Sequence, residues 1–207
     1  TPYTMSQQLY DNYLIYSYAD AKNDSKMLLA MGSLSKTLNF MNGTFSVNGS
    51  YAQNTSNIIS QKESINSVSD SWGIGGKING SPTRWFSFDY AIEYHNSRIS
   101  MNDASVPWLS TLTNSLSLNF VPHDKWQIQI SGEDYYNELT KDVFKNMLML
   151  DTKLTFLATK QIELSASLSN IINERQYNYT TYTQLSSFES QRMLRGRQLL
   201  FSISLRK

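Results

Sequence analysis

The chain contains two histidines, its only side chains that ordinarily titrate near neutrality, and each has a carboxylate close by. Glu93 precedes His95 by two residues, which puts both on one side of an extended strand, the pairing of a general base with a carboxylate that orients it. His123 adjoins Asp124 in a segment that reads as a turn at the opposite end of the fold, the wrong place to join such a site. Two histidines in 207 residues more often serve as polar rim groups, and the chain reads as a non-enzyme. A second kind of chemistry lies between Asn173 and Gln191, where Tyr177, Tyr179 and Tyr182 alternate with Gln176, Asn178 and Gln184. Stacking faces interleaved with amides suit a sugar or a peptide, so Tyr177, Tyr179, Tyr182 and Gln184 are the candidate ligand-binding residues. The plainer reading is a tyrosine-rich hairpin. Glycine-rich phosphate loops, HExxH, GxSxG and EF-hand spacings are missing from the sequence, and with no cysteine there is no disulfide, thiolate metal site or cysteine nucleophile. No metal or cofactor is expected.

The elements that carry these residues are first visible in the composition. Of the residues 40% are apolar, 13% aromatic and only 17% charged, and 18 Lys and Arg nearly cancel 17 Asp and Glu. A net charge of +1 gives a nucleic acid nothing to bind. Nowhere do about 18 apolar residues run together, so no transmembrane helix is available. Thr1-Pro2-Tyr3-Thr4 lacks the basic and apolar stretches of an export signal, which places any such signal outside this sequence. The negative mean hydropathy is an average, and an average hides alternation.

Alternation is the rule along the chain. Leu28, Ala30, Leu34 and Leu38 share one parity; Phe45, Val47 and Tyr51 follow after Met41-Asn42-Gly43, a turn in which the Asn-Gly pair is expected to supply positive φ. Trp72, Ile74 and Ile78 precede the turn cluster Gly80-Ser81-Pro82-Thr83, and Phe86, Phe88, Tyr90, Ile92 and Tyr94 follow it. Leu112, Leu116, Leu118 and Phe120, then Trp126, Ile128 and Ile130, flank Pro122-His123-Asp124-Lys125. Leu148, Leu150, Leu154 and Phe156, Ile162, Leu164, Ala166 and Leu168, and Leu199, Phe201, Ile203 and Leu205 complete the series. The intervening parity carries Lys77, Asp89, Glu93, Gln127, Glu133, Asp151, Lys153 and Glu163.

With an opening strand around Leu14 to Ala21, these make about ten strands of about ten to fourteen residues, longer than the five or six usual in globular proteins. Strands of about nine to eleven residues cross a bilayer. Short turns near Asn42, Ser81, Asp124 and Thr159 alternate with mostly longer polar connections at 22–25, 54–70, 97–107, 139–146 and 173–191, as the periplasmic turns and external loops of an outer-membrane barrel do. Phe40, Phe45, Trp85, Phe86, Phe120, Trp126 and Phe156 flank the short turns, where a membrane-interface belt belongs. Tyr51, Trp72, Tyr94, Trp108, Tyr135 and Tyr136 are placed for the other belt, and Lys36 for snorkelling at the turn end. Periodicity alone does not choose between an apolar exterior in lipid and the apolar interior of a soluble barrel or sandwich. End-placed aromatics, strand length and the lack of any element to fill an apolar lumen favour lipid.

The C-terminal stretch is more specific. Leu164 to Asn173, with Asn170, Asn173 and the following Tyr177, resembles the Asn-Leu-Phe-Asn...Tyr motif that closes the penultimate strand of TonB-dependent outer-membrane receptors. Arg195-Gly196-Arg197 before Gln198 to Leu205 is similar to the Arg-Pro-Arg-containing last strand of their Bacteroidetes branch, with Gly196 where proline is frequent and Leu205-Arg206-Lys207 where a terminal aromatic is usual. The resemblance, carried mainly by residues 160–207, implies an all-β antiparallel transmembrane β-barrel of about 22 strands filled by a plug. Residues 1–207 are then expected to be the C-terminal portion of that barrel, with the plug domain absent from the sequence. It further implies uptake of an oligosaccharide, peptide or chelate across the bacterial outer membrane. The implied partners are outer-membrane lipid, the rest of the barrel and its plug, TonB through that plug, and a surface lipoprotein. The alternative is a complete ten-stranded outer-membrane barrel with a structural, adhesive or omptin-like protease role.

Overall fold

Alternating residues make a strand with one greasy and one polar face, and short turns make successive strands pair antiparallel. A computed structural model describes residues 4–10, 13–20, 24–60, 62–102, 104–105, 107–141, 143–182 and 187–205. It contains β1 (Thr4–Tyr10), β2 (Tyr13–Ala19), β3 (Lys26–Leu38), β4 (Gly43–Ser60), β5 (Glu63–Thr83), β6 (Phe86–Met101), β7 (Ala104–Ser105), β8 (Leu109–His123), β9 (Trp126–Thr140), β10 (Val143–Leu157), β11 (Ile162–Ser169), β12 (Gln176–Tyr182), β13 (Ser187–Met193) and β14 (Gln198–Leu205). Nine of them form one antiparallel meander among the described residues, in the order β3-β4-β5-β6-β8-β9-β10-β11-β14. Among the described residues β12 and β13 pair only with each other.

The expected opening strand is not part of this wall. β2 pairs with β1, and β1 attaches in parallel to the tip of β4 through Ser6↔Ile59 and Gln7↔Ser60, so the meander has nine strands rather than about ten. The long polar connections also differ from expectation. β4 and β5 stay paired from Thr44↔Asn79 to Ser60↔Glu63, which turns the supposed loop at 54–70 into the end of a hairpin. Likewise β9 and β10 pair as far as Thr140↔Val143, and Gln176–Tyr182 pairs antiparallel with Ser187–Met193 as β12 and β13. These tips lack apolar alternation, yet ladder hydrogen bonds still satisfy their backbones.

The first turn is a 3-10 turn over Asn39–Met41 closed by Asn42 in the left-handed region (φ 45°), while Gly43 keeps a negative φ. Gly43 is required for a different reason: a Cβ there would lie 2.0 Å from the Asn79 carbonyl oxygen and 2.8 Å from the Gly80 Cα.

Cross-strand partners share a face, and the register therefore sorts the side chains. Leu34, Val47 and Gly76 lie on one line with Ile92; Phe86, Phe120, Ile128, Leu154, Ala166 and Phe201 lie on another. One largely apolar face thus extends over all nine strands, interrupted beyond Ile92 by Asn114 and Asp134, which lie on the same face and bond to each other at 3.3 Å. The other carries the Lys77–Asp89 ion pair (3.1 Å), the Gln127–Asn119 bond (2.8 Å) and the Ser165–Ser202 hydroxyl pair (2.7 Å).

This greasy face is not covered. Among the described residues Ile58, Leu109 and Met147 are the buried apolar side chains, whereas Leu34 is 81% exposed and Phe201 72%. The accessible surface of 14498 Å² compares with about 9,800 Å² for a compact chain of this mass. The sheet is open: among the described residues β3 pairs only with β4 and β14 only with β11.

The apolar positions form a band oblique to the strands. On β5 it spans Trp72 to Ile78, ending at Asp70 and Gly80; on β14 it spans Leu199 to Leu205. A line of direct partners from Leu199 passes through Leu168, Thr152, Ile130, Leu118 and Phe88 to Gly80. The loop-end limit of the band on β14 is therefore level with the residue just past its turn-end limit on β5. Both limits fall about eight residues over six inter-strand steps, and at about 3.3 Å per residue and 4.8 Å per step the band makes an angle of about 40° with the inter-strand direction.

Candidate functional site

A closely hydrogen-bonded polar group lies at the root of the β12–β13 hairpin, where both of its connecting segments meet. β11 stops at Asn170, whose φ of 53° reverses the chain and whose residue is 8% exposed. Asparagine tolerates that conformation, and both ends of its amide are bonded. Nδ2 donates to the carbonyls of Glu174 (2.7 Å) and Arg195 (2.9 Å), and Oδ1 accepts from the Glu174 amide (2.8 Å). The Asn170 backbone N–H donates to Asp151 Oδ1 on β10.

Asn173 continues the brace. It is also left-handed (φ 65°), donates its N–H to the Asn170 carbonyl (2.8 Å) and accepts at Oδ1 from the Arg197 amide (3.0 Å). Arg197 donates from Nε and Nη2 to the Ile171 carbonyl. Ile171 N–H donates to the Leu150 carbonyl (2.8 Å), and Leu194 N–H to that of Arg175 (2.9 Å). Arg175 fills the space beside Gly196, where a Cβ would lie 2.6 Å from its guanidinium carbon.

Four of the five motif residues, Asn170, Asn173, Arg195 and Arg197, thus belong to one knot, with Arg195 entering through its carbonyl. The fifth, Tyr177, meets Tyr135 of β9 edge to face at 6.2 Å. Between the hairpin and β9–β10 is a cavity of about 90 Å³ whose lining includes Tyr135, Asn137, Lys145, Glu174, Tyr177 and Asn178. Aromatic walls, amides and one charge of each sign suit a small polar ring compound. Of the other ligand candidates, Tyr179 pairs with Ser190 and Tyr182 with Ser187 along the backbone. Their side chains and the whole of Gln184 lie outside the described residues. The sequence offered no hint of Asp151, Glu174 or Arg175, because their partners are distant in the chain or are backbone groups.

The seven turn-flanking aromatics do gather at one end of the sheet. Phe86 and Phe120 stack at 4.9 Å with Trp85 beside them (6.0 and 6.4 Å), and Trp126 and Phe156 meet at 4.4 Å. Phe40 projects from the first turn, 81% exposed, and Phe45 is paired with Lys36. At the other end Trp72 and Tyr94 are 5.3 Å apart on the greasy face. Tyr135 does not join Tyr136 there, since neighbours along a strand face opposite ways; it pairs with Met147 on the polar face. Trp108 instead lies under Arg98, whose guanidinium carbon is 4.6 Å from its ring centre. Arg98 and Gln53 both bind Asp70, a carboxylate with a 5% exposed side chain (2.9 and 2.7 Å).

Glu93 and His95 share the polar face, and no hydrogen bond joins them among the described residues. His123 accepts a bond at Nδ1 from the Lys125 amide in its turn. Among the described residues no cluster of three His, Asp or Glu side chains converges. No protein-family model matches the chain, and neither the curated proteins nor the solved structures contain a match to it.

Proposed function

We propose that this sheet is a stretch of the wall of a transmembrane β-barrel in a bacterial outer membrane, and that the barrel is a TonB-dependent receptor taking up a nutrient. The observation that carries the membrane reading is the oblique apolar band. A layer of protein packed on a sheet leaves an apolar patch shaped by its own elements. A slab of hydrocarbon leaves a straight stripe, and across strands tilted from the membrane normal that stripe must slope by the tilt. The slope of about 40° lies within the 35–45° tilt of transmembrane barrel strands. The uncovered greasy face then meets acyl chains, the turn-end aromatics lie at one interface, and the charged face encloses water.

The receptor reading is supported by the motif resemblance of residues 160–207 and by the brace its residues form. The brace holds the β12–β13 hairpin over the polar face, so the cavity beside Tyr177 would be part of the surface that meets the ligand. Outer-membrane lipid, the rest of the barrel, its plug and TonB acting through that plug are the partners this implies, with a surface lipoprotein above the hairpin.

Brominated acyl chains test the membrane half. In proteoliposomes of the full protein with Trp126 as the remaining tryptophan of this segment, bromolipid should quench its emission strongly; unchanged emission contradicts contact with lipid. In cells, deleting the protein and deleting TonB should abolish the same uptake, and uptake that persists without TonB contradicts the receptor half.

A further inference from the structure

We infer that the turn-end half of the greasy face seats one anionic phospholipid, with an acyl chain lying in a groove over Ala166 and the phosphate held by Lys125 and Lys160. The inference rests on the membrane reading and adds to it the class of lipid, its leaflet and its place on the wall.

The groove follows from one small residue in the ladder. Ala166 of β11 stands between Leu154 of β10 and Phe201 of β14, and the next row of partners toward the turns is Trp126, Phe156, Leu164 and Ile203. A methyl group among such neighbours leaves a trough. Its volume is about 410 Å³, and the Trp126–Phe156 ring pair, 4.4 Å apart, bounds it on the β9 side. Ser165 and Ser202 also border it, but their hydroxyls bond each other on the opposite face (2.7 Å), so the trough presents no polar side chain. A methylene chain laid there touches side chains on its flanks as well as beneath it, which is more contact than a flat stretch of the same face offers.

Two cations stand at the turn end of these strands. Lys125 ends the β8–β9 turn immediately before Trp126, and Lys160 is in the β10–β11 turn. Both turns are pinned. Leu157 N–H donates to the Lys125 carbonyl (2.8 Å), Ala158 N–H to the Ile162 carbonyl (3.0 Å), and Thr159 Oγ1 accepts from the Gln161 and Ile162 amides (3.2 and 3.0 Å). Both lysines are exposed, and neither forms an ion pair with a described residue. The turns at 39–42, 81–85, 122–125 and 158–161 together carry Arg84, Lys125 and Lys160 against one acid, Asp124. The loop-end margin of the same face differs: Arg98 is neutralised by Asp70 (2.9 Å), and Asp134 is bonded to the neutral Asn114 (3.3 Å). An anionic headgroup is thus attracted at the turn end of the greasy face and not at the loop end.

The test is competitive quenching in proteoliposomes of the full protein, with the Trp126 signal taken as the difference from the matched Trp126→Phe protein. Phosphatidylglycerol brominated in its acyl chains is diluted into unlabelled phosphatidylcholine, and brominated phosphatidylcholine of the same chain length into unlabelled phosphatidylglycerol. Brominated phosphatidylglycerol should reach half of its full quenching at a mole fraction at least about fivefold lower, the effect of one lysine beside an anionic headgroup. Lys125→Gln combined with Lys160→Gln should bring the two lipids to parity. Ala166→Phe, which fills the groove and leaves the lysines, should do the same. The folded band on unheated gels verifies each variant, and either one suffices. Equal quenching by both lipids in the parent protein overturns the inference and leaves the membrane reading standing. A preference that survives a folded variant seats the anionic lipid elsewhere and overturns the inference too. No quenching by either lipid overturns the membrane reading together with this one.

Discussion

Arg197 and Ile171, 26 positions apart, are joined by a forked contact in which Nε and Nη2 of the guanidinium donate to one backbone carbonyl at 3.0 and 2.6 Å. With Asn170 and Asn173 this contact ties the two connections of the β12–β13 hairpin together at their root.

Asn170→Ala removes three side-chain hydrogen bonds and leaves the Arg195 carbonyl without that donor, while also placing alanine at a left-handed φ. A loss of about 2–4 kcal/mol is expected. Asn170→Gly keeps the conformation but not the bonds and should lose less. The temperature at which the folded band on unheated gels gives way to the unfolded one measures both, and no shift for either variant contradicts the brace.

Arg197→Lys keeps the charge and loses the fork, so it should weaken the brace nearly as much as Arg197→Ala. Because Arg197 and Asn170 act in one network, the double variant should lose less than the sum of the two singles. Strict additivity in the same gel assay would separate them.

Two glycines give opposite expectations. Gly43→Ala forces a Cβ onto the backbone of Asn79 and Gly80, and it should greatly reduce assembled protein. Gly196→Ala meets only the movable guanidinium of Arg175 and should assemble nearly as wild type. Comparable yields of folded protein for the two variants would contradict this packing.

The faces were legible in the sequence because a period of two survives in residues such as Leu116 and Leu118 against Ser115 and Ser117, and the wall pairings keep that parity except for one-residue shifts near the strand ends at Gly80/Thr83, Phe120/His123 and Val143/Phe144. Extents were less legible. Asn54 to Asp70 resembles a loop because Ser, Asn and Thr occupy much of both parities, yet the β4–β5 ladder continues through it, with the buried Ile58 opposite Ile65. Tyr135 and Tyr136 are neighbours in sequence, yet alternation places them on opposite faces. The motif spacing picked out Asn170, Asn173, Arg195 and Arg197, but nothing local shows that an amide at 170 closes on a carbonyl at 195.

Asp70 and Arg98 are unequal partners, since the Asp70 side chain is 5% exposed and that of Arg98 39%. Arg98→Ala leaves a buried carboxylate with Gln53 but no cation and should cost about 2–4 kcal/mol. Asp70→Asn leaves an arginine that water can reach and should cost less. Denaturant resistance of the folded band checks the order, and the reverse order contradicts it.

In the proposed membrane placement, Leu116→Arg puts a charge in the apolar band at a cost of about 2–4 kcal/mol, whereas Ser117→Arg points it to the polar face. Assembly should fall sharply for the first and little for the second, as judged by the amount of folded protein in the outer membrane. Equal tolerance contradicts the assignment of faces.

The most direct test attaches a nitroxide in turn to each residue of β8 from Thr113 to Asn119 and compares its collision rates with oxygen, which concentrates in acyl chains, and with a water-soluble nickel chelate. Leu116 and Leu118 should favour oxygen, and Thr113, Ser115, Ser117 and Asn119 nickel, with Asn114, on the greasy parity but bonded to Asp134, marking the loop-end margin of the band. Nickel access at Leu116 and Leu118 equal to that at Ser115 and Ser117 would contradict a face turned to lipid.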